Sequence, residues 1–211
     1  MTFQYPVTLN LEGKFCTVVG GGAVALRKVQ SLLEQGAEVT VISPVLCEEL
    51  KALEDQFVWM KSVYKEGQLE GSFLVIAATD ARAVNHDIAQ WCEENQVLVN
   101  VADSREESSF LVNAAVRQGD LLIGISTGGI SPAVSRAIRQ QLEQQFGPEY
   151  GWMLEILADV REQAMKQITD ETKRRQFLQS VADMDLPGLL RQETKEEVQK
   201  RVKLCLSSCS G

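Results

Sequence analysis

Short unbroken apolar runs alternate, through the first half of the chain, with longer segments whose apolar residues recur at helical spacing. The runs read as strands buried on both faces and the longer segments as amphipathic helices. Phe15 to Val19 predicts a strand, Ala23 to Gln35 a helix with Leu26, Val29 and Leu33 on one face, and Glu38 to Ile42 a second strand. Gly36 stands where that helix should stop. A helix over Cys47–Asp55 and a short strand over Val58–Val63 follow. FLVIAATD then predicts a strand ending at Asp80, ARAVNHDIAQWCEEN a helix, and VLVNVAD a strand ending at Asp103. Such alternation predicts a parallel sheet with helices on both faces.

The texture changes after Asp103. SFLVNAAVRQGDLLIGISTGG reads as two longer strands joined through Arg117-Gln118-Gly119-Asp120, a hairpin instead of a crossover. SPAVSRAIRQQLEQQFG predicts a helix with Ser131 as N-cap, Pro132 at its first position and Gly147-Pro148 at its end. From about Tyr150 a mixed-charge helical pattern runs to Lys203, broken at Leu186-Pro187-Gly188.

Gly20-Gly21-Gly22-Ala23-Val24-Ala25 fits G-x-G-x-x-A directly between strand and helix. Each residue type has its own reason: Gly20 permits the tight turn, Gly22 admits a pyrophosphate to the backbone, and Ala25 lets the helix pack closely on the sheet. The helix N-terminus offers unpaired N–H groups and a partial positive charge. With strand, helix and second strand in register, the pattern predicts a Rossmann-like dinucleotide site at Gly20, Gly22, Ala23 and Val24. The second strand ends Ser43-Pro44-Val45, without the carboxylate that commonly binds the adenosine ribose. Ser43 offers a hydroxyl, and Pro44 and Val45 could flank the adenine. No arginine there welcomes a 2′-phosphate, and no acid excludes one.

In such sheets ligands sit outside the carboxyl ends of strands. Thr79 is expected to brush the cofactor, with Asp80 as N-cap of the next helix. Asp103 has two readings. Asp103-Ser-Arg-Glu106 has capping-box spacing, and a carboxylate at the mouth of the crevice could equally act as a general base. His86, the single histidine, reads as a surface or helix-capping residue. Trp59, Trp91 and Trp152 read as core or interface aromatics.

Charge and composition exclude several classes. The net charge of −8, with basic and acidic residues in balance after residue 150, argues against nucleic acid. The chain has no run long and apolar enough to span a membrane, and MTFQYPVTLNLEGKF lacks the build of a secretory signal, so a soluble cytoplasmic protein is expected. Five scattered cysteines and one histidine indicate neither a disulfide framework nor a metal site. Cys205 and Cys209 could meet across a helical turn, but tail thiols without a bond are the expectation.

With TVVGGGAVALRKVQSLL, VIAATD, VNVADS and ISTGGISPAVSRAIRQQLE in this order, the chain resembles the precorrin-2 dehydrogenase family, the NAD-dependent part of siroheme synthase, over about residues 5–150. The resemblance implies an enzyme that oxidises precorrin-2 to sirohydrochlorin with NAD+ as acceptor, some members also inserting iron. It makes Asp103 the catalytic residue, matches Gly20, Gly22, Ala23 and Val24 to the cofactor segment, and matches Pro44 and Val45 at the second strand's end. Thr127 precedes the glycines where some members carry serine.

The family pattern further implies an α/β fold with a Rossmann-like parallel sheet (residues 1–113), a small α+β dimerisation region (114–150) and a helical C-terminal domain (151–211). The active site would lie in a cleft shared with the helical tail. A homodimer agrees with the local pattern, since a two-strand hairpin and one helix cannot bury both faces alone. The polycarboxylate tetrapyrrole needs local cations, for which Arg105, Arg117, Arg136 and Arg139 are candidates, each equally readable as a solvated charge. The sixty-odd residues after 150 are too few for a fused methyltransferase. A reading from another class is a non-catalytic dinucleotide sensor, which would change oligomer or partner with NAD and turn over no tetrapyrrole.

Overall fold

The computed structural model describes residues 5–209, with the side chains of residues 5–205. The chain divides into two compact units, one through Val112 and one from Asn113. In the first, the elements are β1 (Phe15–Val19), α1 (Ala23–Leu33), β2 (Glu38–Ile42), α2 (Glu48–Lys51), β3 (Val58–Met60), β4 (Leu74–Ala77), α3 (Arg82–Glu94) and β5 (Leu98–Val101). The sheet order is β3-β2-β1-β4-β5 and every pairing is parallel.

Strand periodicity explains why these runs are apolar throughout. Alternate residues point to opposite faces, and both faces are covered. Cys16, Val18, Val39, Val41, Leu74 and Ile76 pack with Ala25, Val29 and Leu32 of α1. Val19, Ile42, Val75, Ala77, Val99 and Val101 pack with Ile88, Ala89 and Cys92 of α3. The buried stripe of α1 is therefore Ala25-Val29-Leu32, rotated from the expected Leu26-Val29-Leu33, whose two leucines lie at its margin. The small Ala25, fully buried, sets that rotation by letting the helix start close against the sheet.

Four local expectations change. The helix expected over Cys47–Asp55 is one turn, α2, followed by a 3₁₀ turn at Glu54–Gln56. Asp80 does not cap α3: the N-cap is Ala81, without a side-chain bond, and the Thr79 hydroxyl accepts from the Ala81 N–H instead. No helix follows Asp103, so its capping-box reading falls. Ser108 and Ser109 there bond the backbone of Val101 and Val99, tying the loop to the edge of β5. Leu186-Pro187-Gly188 is not a break but the start of a short helix, because Asp185 accepts from the Gly188 N–H and proline fits a first turn.

The second unit opens with the antiparallel hairpin β6 (Ala114–Gln118) and β7 (Leu121–Ile125), turning at Gly119-Asp120. Then come α4 (Pro132–Gln145), α5 (Pro148–Gln167), α6 (Glu171–Ala182), α7 (Leu186–Leu190) and α8 (Lys195–Cys209). Ser131 caps α4 by accepting from the Val134 N–H, as its sequence predicts. The last four helices have their own core, with Ile156, Val160, Phe177, Val181, Leu186, Leu190, Val198 and Val202 buried together. Arg191 donates through Nε and Nη2 to Glu149 Oε1 at 2.8 and 2.6 Å, joining the end of α7 to the start of α5. The expected freedom of Cys205 and Cys209 involves a side chain, that of Cys209, outside the described residues.

Candidate active site

The loops at the carboxyl ends of β1, β2, β4 and β5, together with the first two residues of α1, carry nine of the residues singled out from sequence: Gly20, Gly22, Ala23, Val24, Ser43, Pro44, Val45, Thr79 and Asp103. Parallel register produces this grouping, since paired strands must end at one edge.

At the end of β1 the three glycines have distinct surroundings. Gly20 has φ +130°, and a Cβ there would lie 2.2 Å from the Ala78 carbonyl oxygen. A Cβ on Gly21 would lie 2.0 Å from the Val45 carbonyl oxygen and 2.6 Å from Ser43 Oγ. The Gly21 carbonyl also accepts from the Cys47 N–H at 2.7 Å, so this residue locks the glycine turn to the loop after β2. Around Gly22 a Cβ would meet nothing within 4 Å.

Gly22 is the N-cap of α1, which has no side-chain cap and no acidic residue in its first turn. Ala23 and Val24 are exposed. An uncapped helix start with open space above its cap glycine fits an anion such as a diphosphate, held by backbone N–H groups and the helix dipole.

Ser43 is buried, and its hydroxyl donates to the Val45 carbonyl at 2.7 Å. Its carbonyl accepts from Trp59 Nε1 at 3.0 Å. Ser43 thus shapes the loop from within, while Pro44 and Val45 stand exposed at its surface.

Thr79 and Asp103 are brought together through Asn85, a residue that the sequence reading passed over. Asn85 lies one turn into α3 and is buried. Its amide nitrogen donates to the Thr79 carbonyl at 3.0 Å and to Asp103 Oδ1 at 3.2 Å. Its amide oxygen accepts from the Thr79 N–H at 3.2 Å and from the Thr79 hydroxyl at 2.7 Å. The signal was present in the pattern: Asn85 occupies the same stripe as Ile88, Ala89 and Cys92, where a polar residue demands partners.

Asp103 itself is exposed and sits in the tight turn between Val101 and Ser104. The adjacent His86 turns to the surface, where its Nδ1 lies 2.6 Å from Glu107 Oε1. That hydrogen bond is the main reason the Glu107 carboxyl is held below its ordinary range.

Arg105, half-buried, follows Asp103 in the same loop. Thr127 and Arg136 belong to the second unit. Thr127 Oγ1 accepts from the Ser131 N–H at 3.2 Å and is 3.0 Å from Ser135 Oγ, fixing the glycine loop that leads into α4. Arg136 is exposed on α4, and Arg139 is 3.4 Å from Glu143 one turn on. Among the described residues no group of three or more His, Cys, Asp or Glu is arranged to hold a metal ion, and no helix is long and apolar enough to cross a membrane.

A parallel sheet of order 3-2-1-4-5, with a glycine turn opening into an uncapped helix at its carboxyl edge, defines a Rossmann-class dinucleotide-binding domain. Residues 7–114 match the family model described as "Putative NAD(P)-binding", and the chain belongs to that NAD(P)-binding family. Residues 118–145 match the model described as "Sirohaem biosynthesis protein central".

Among curated relatives, the siroheme synthase of Photobacterium profundum is 36% identical over 199 residues, covering 92% of this chain and 42% of the relative. That of Mannheimia succiniciproducens is 33% identical over 205 residues, covering 96% and 43%. The chain thus spans about two-fifths of the length of these relatives. A solved structure, "SirC, precorrin-2 dehydrogenase", superposes with a TM-score of 0.78 at 26% identity, covering 95% of this chain and 99% of that one.

Proposed function

We propose that this protein is an NAD-dependent precorrin-2 dehydrogenase that forms sirohydrochlorin in siroheme biosynthesis. One observation carries the reading: an open, uncapped helix start and an exposed carboxylate lie on the same edge of one sheet; the likeness to SirC over nearly the whole of both chains supports it. The balance is precorrin-2 + NAD+ → sirohydrochlorin + NADH + H+, so the protein must orient a hydride donor and receive one proton.

Gly22, Ala23 and Val24 would hold the diphosphate through backbone N–H groups, Pro44 and Val45 would flank the adenine, and Thr79 would border the nicotinamide through its backbone. The bound nicotinamide supplies the hydride acceptor. Asp103 accepts the proton at its carboxylate. The bond from Asn85 engages Oδ1. Alignment of donor carbon and acceptor supplies much of the rate. Arg105, Thr127 and Arg136 are assigned to the substrate's carboxylates and polar groups.

We assign residues 114–150 to homodimerisation and residues 151–211 to a helical domain, in a cytoplasmic enzyme. The exposed apolar side chains of Leu122, Ile130, Val134 and Ile138 support the dimer reading. Purified protein, precorrin-2 and NAD+ should yield NADH and sirohydrochlorin in equal amounts. Protein that binds NAD+ and produces neither would refute the assignment. Iron insertion is a separate activity, tested by anaerobic incubation of sirohydrochlorin and Fe2+ with and without the protein.

A further inference from the structure

We propose that Asn85 is a positioning residue for the reaction, holding the Asp103 carboxylate against the end of β4 so that proton acceptor and nicotinamide border keep one geometry. This inference rests on the dehydrogenase reading and on Asp103 as its proton acceptor.

An amide side chain has two donor hydrogens and two acceptor lone pairs, and at Asn85 the four bonds described above use all of them. The amide orientation is fixed by its partners. The Thr79 N–H is a donor by necessity and needs the amide oxygen, and the Thr79 carbonyl is an acceptor by necessity and needs the amide nitrogen. The remaining hydrogen then points to Asp103.

Three of the four bonds therefore go to Thr79 at the end of β4, and the fourth crosses to the end of β5, eighteen residues on. The strand register ends at Ala77 and Val101, and the Ala102 N–H donates to the Ala77 carbonyl at 2.9 Å, so this backbone link stops one residue short of Asp103 and two short of Thr79. Asn85 joins those two residues from within the packed face of α3. The loop carrying Asp103 is also anchored on its far side, where Ser108 and Ser109 bond the edge of β5.

An isosteric aspartate cannot serve. It would set carboxylate oxygens against both the Thr79 carbonyl and Asp103, removing the donor and placing a like charge beside the proton acceptor.

The test compares Asn85→Asp, Asn85→Ala and Asp103→Ala, each measured for NAD+ affinity and for kcat against pH. In both Asn85 variants NAD+ affinity is expected to stay within about twofold of wild type while kcat falls roughly 10- to 100-fold, the range seen when a supporting hydrogen bond to a functional group is lost. In Asn85→Asp alone the acidic limb of the kcat profile should also move upward by about one pH unit. A folded Asn85→Asp protein with wild-type kcat and an unmoved acidic limb overturns the proposal.

Wild-type turnover by Asp103→Ala would instead overturn the reading of Asp103, so the two failures are distinguishable. If Asn85→Asp does not fold, the double variant Asn85→Asp/Asp103→Asn restores an amide opposite a carboxylate and is expected to show a cooperative unfolding transition that the single variant lacks. A double variant that also lacks the transition overturns the contact.

Discussion

Gly21 and Gly22 are adjacent glycines with opposite expected sensitivities. Substitution of Gly21 by alanine puts a Cβ 2.0 Å from the Val45 carbonyl oxygen, and ordinary contact begins near 3.4 Å. Because the obstacle is backbone, one loop must move by more than ~1 Å, and overpacking of this kind costs about 1–3 kcal/mol, here toward the upper end. Gly21→Ala should therefore lower the Tm by roughly 6–12 °C in a chain of this length.

Gly22→Ala meets no atom within 4 Å and replaces a residue with φ −90°, which any L-residue adopts. The fold should lose at most ~1 kcal/mol, from a poorer N-cap. The added methyl projects into the space assigned to the diphosphate. Losing one charge-assisted backbone hydrogen bond costs about 2 kcal/mol, which is roughly 30-fold in Kd. Titration calorimetry with NAD+ and thermal unfolding, run on both variants, separate the two effects. A Gly22→Ala protein that binds NAD+ as tightly as wild type would refute the placement of the diphosphate, and an undiminished Tm for Gly21→Ala would refute the steric argument.

Other expectations are simpler to state. Asp103→Ala should keep NAD+ affinity and lose about 10²- to 10⁴-fold in kcat, the usual value of a general base; steady-state kinetics check it. Ile88→Ala removes a fully buried side chain between α3 and the sheet and should destabilise the first unit by about 2–5 kcal/mol in denaturant unfolding.

The Asp159 carboxyl is held down at about 2 by hydrogen bonds from Lys203, Gln163 and Gln199, Lys203 contributing most. A depressed carboxyl stabilises the fold above its unfolded value of 3.8 and loses that contribution as pH falls toward 2. Partial exposure limits the effect to about 1 kcal/mol, and Lys203→Met should reduce it in unfolding titrations between those pH values. Burial pushes the Cys16 and Cys92 thiols up to about 11 and about 12, so neither should react with a thiol reagent near neutral pH until the protein is unfolded.

Strand and helix identities in the first unit were legible in the sequence because each strand is buried on both faces and reads as an unbroken apolar run. The glycine turn and Asp103 at a strand end were legible for a related reason: both follow directly from where a strand stops. What stayed hidden depends on contacts distant in sequence. Gly21 matters through Val45, reached only when the loop after β2 folds back, and Asn85 matters through Asp103, on another strand. Local signals also competed. Asp80 has the composition of an N-cap, yet the Thr79 hydroxyl takes the Ala81 N–H first, and Asp103-Ser-Arg-Glu106 has a capping box's spacing with no helix after it.

The most direct measurement is a crystal structure of the protein with NAD+ bound. The account predicts the diphosphate on the backbone N–H groups that follow Gly22, and the nicotinamide beside Thr79 with its reactive face toward the approach to Asp103. A diphosphate held elsewhere, or a nicotinamide turned away from Asp103, would contradict it.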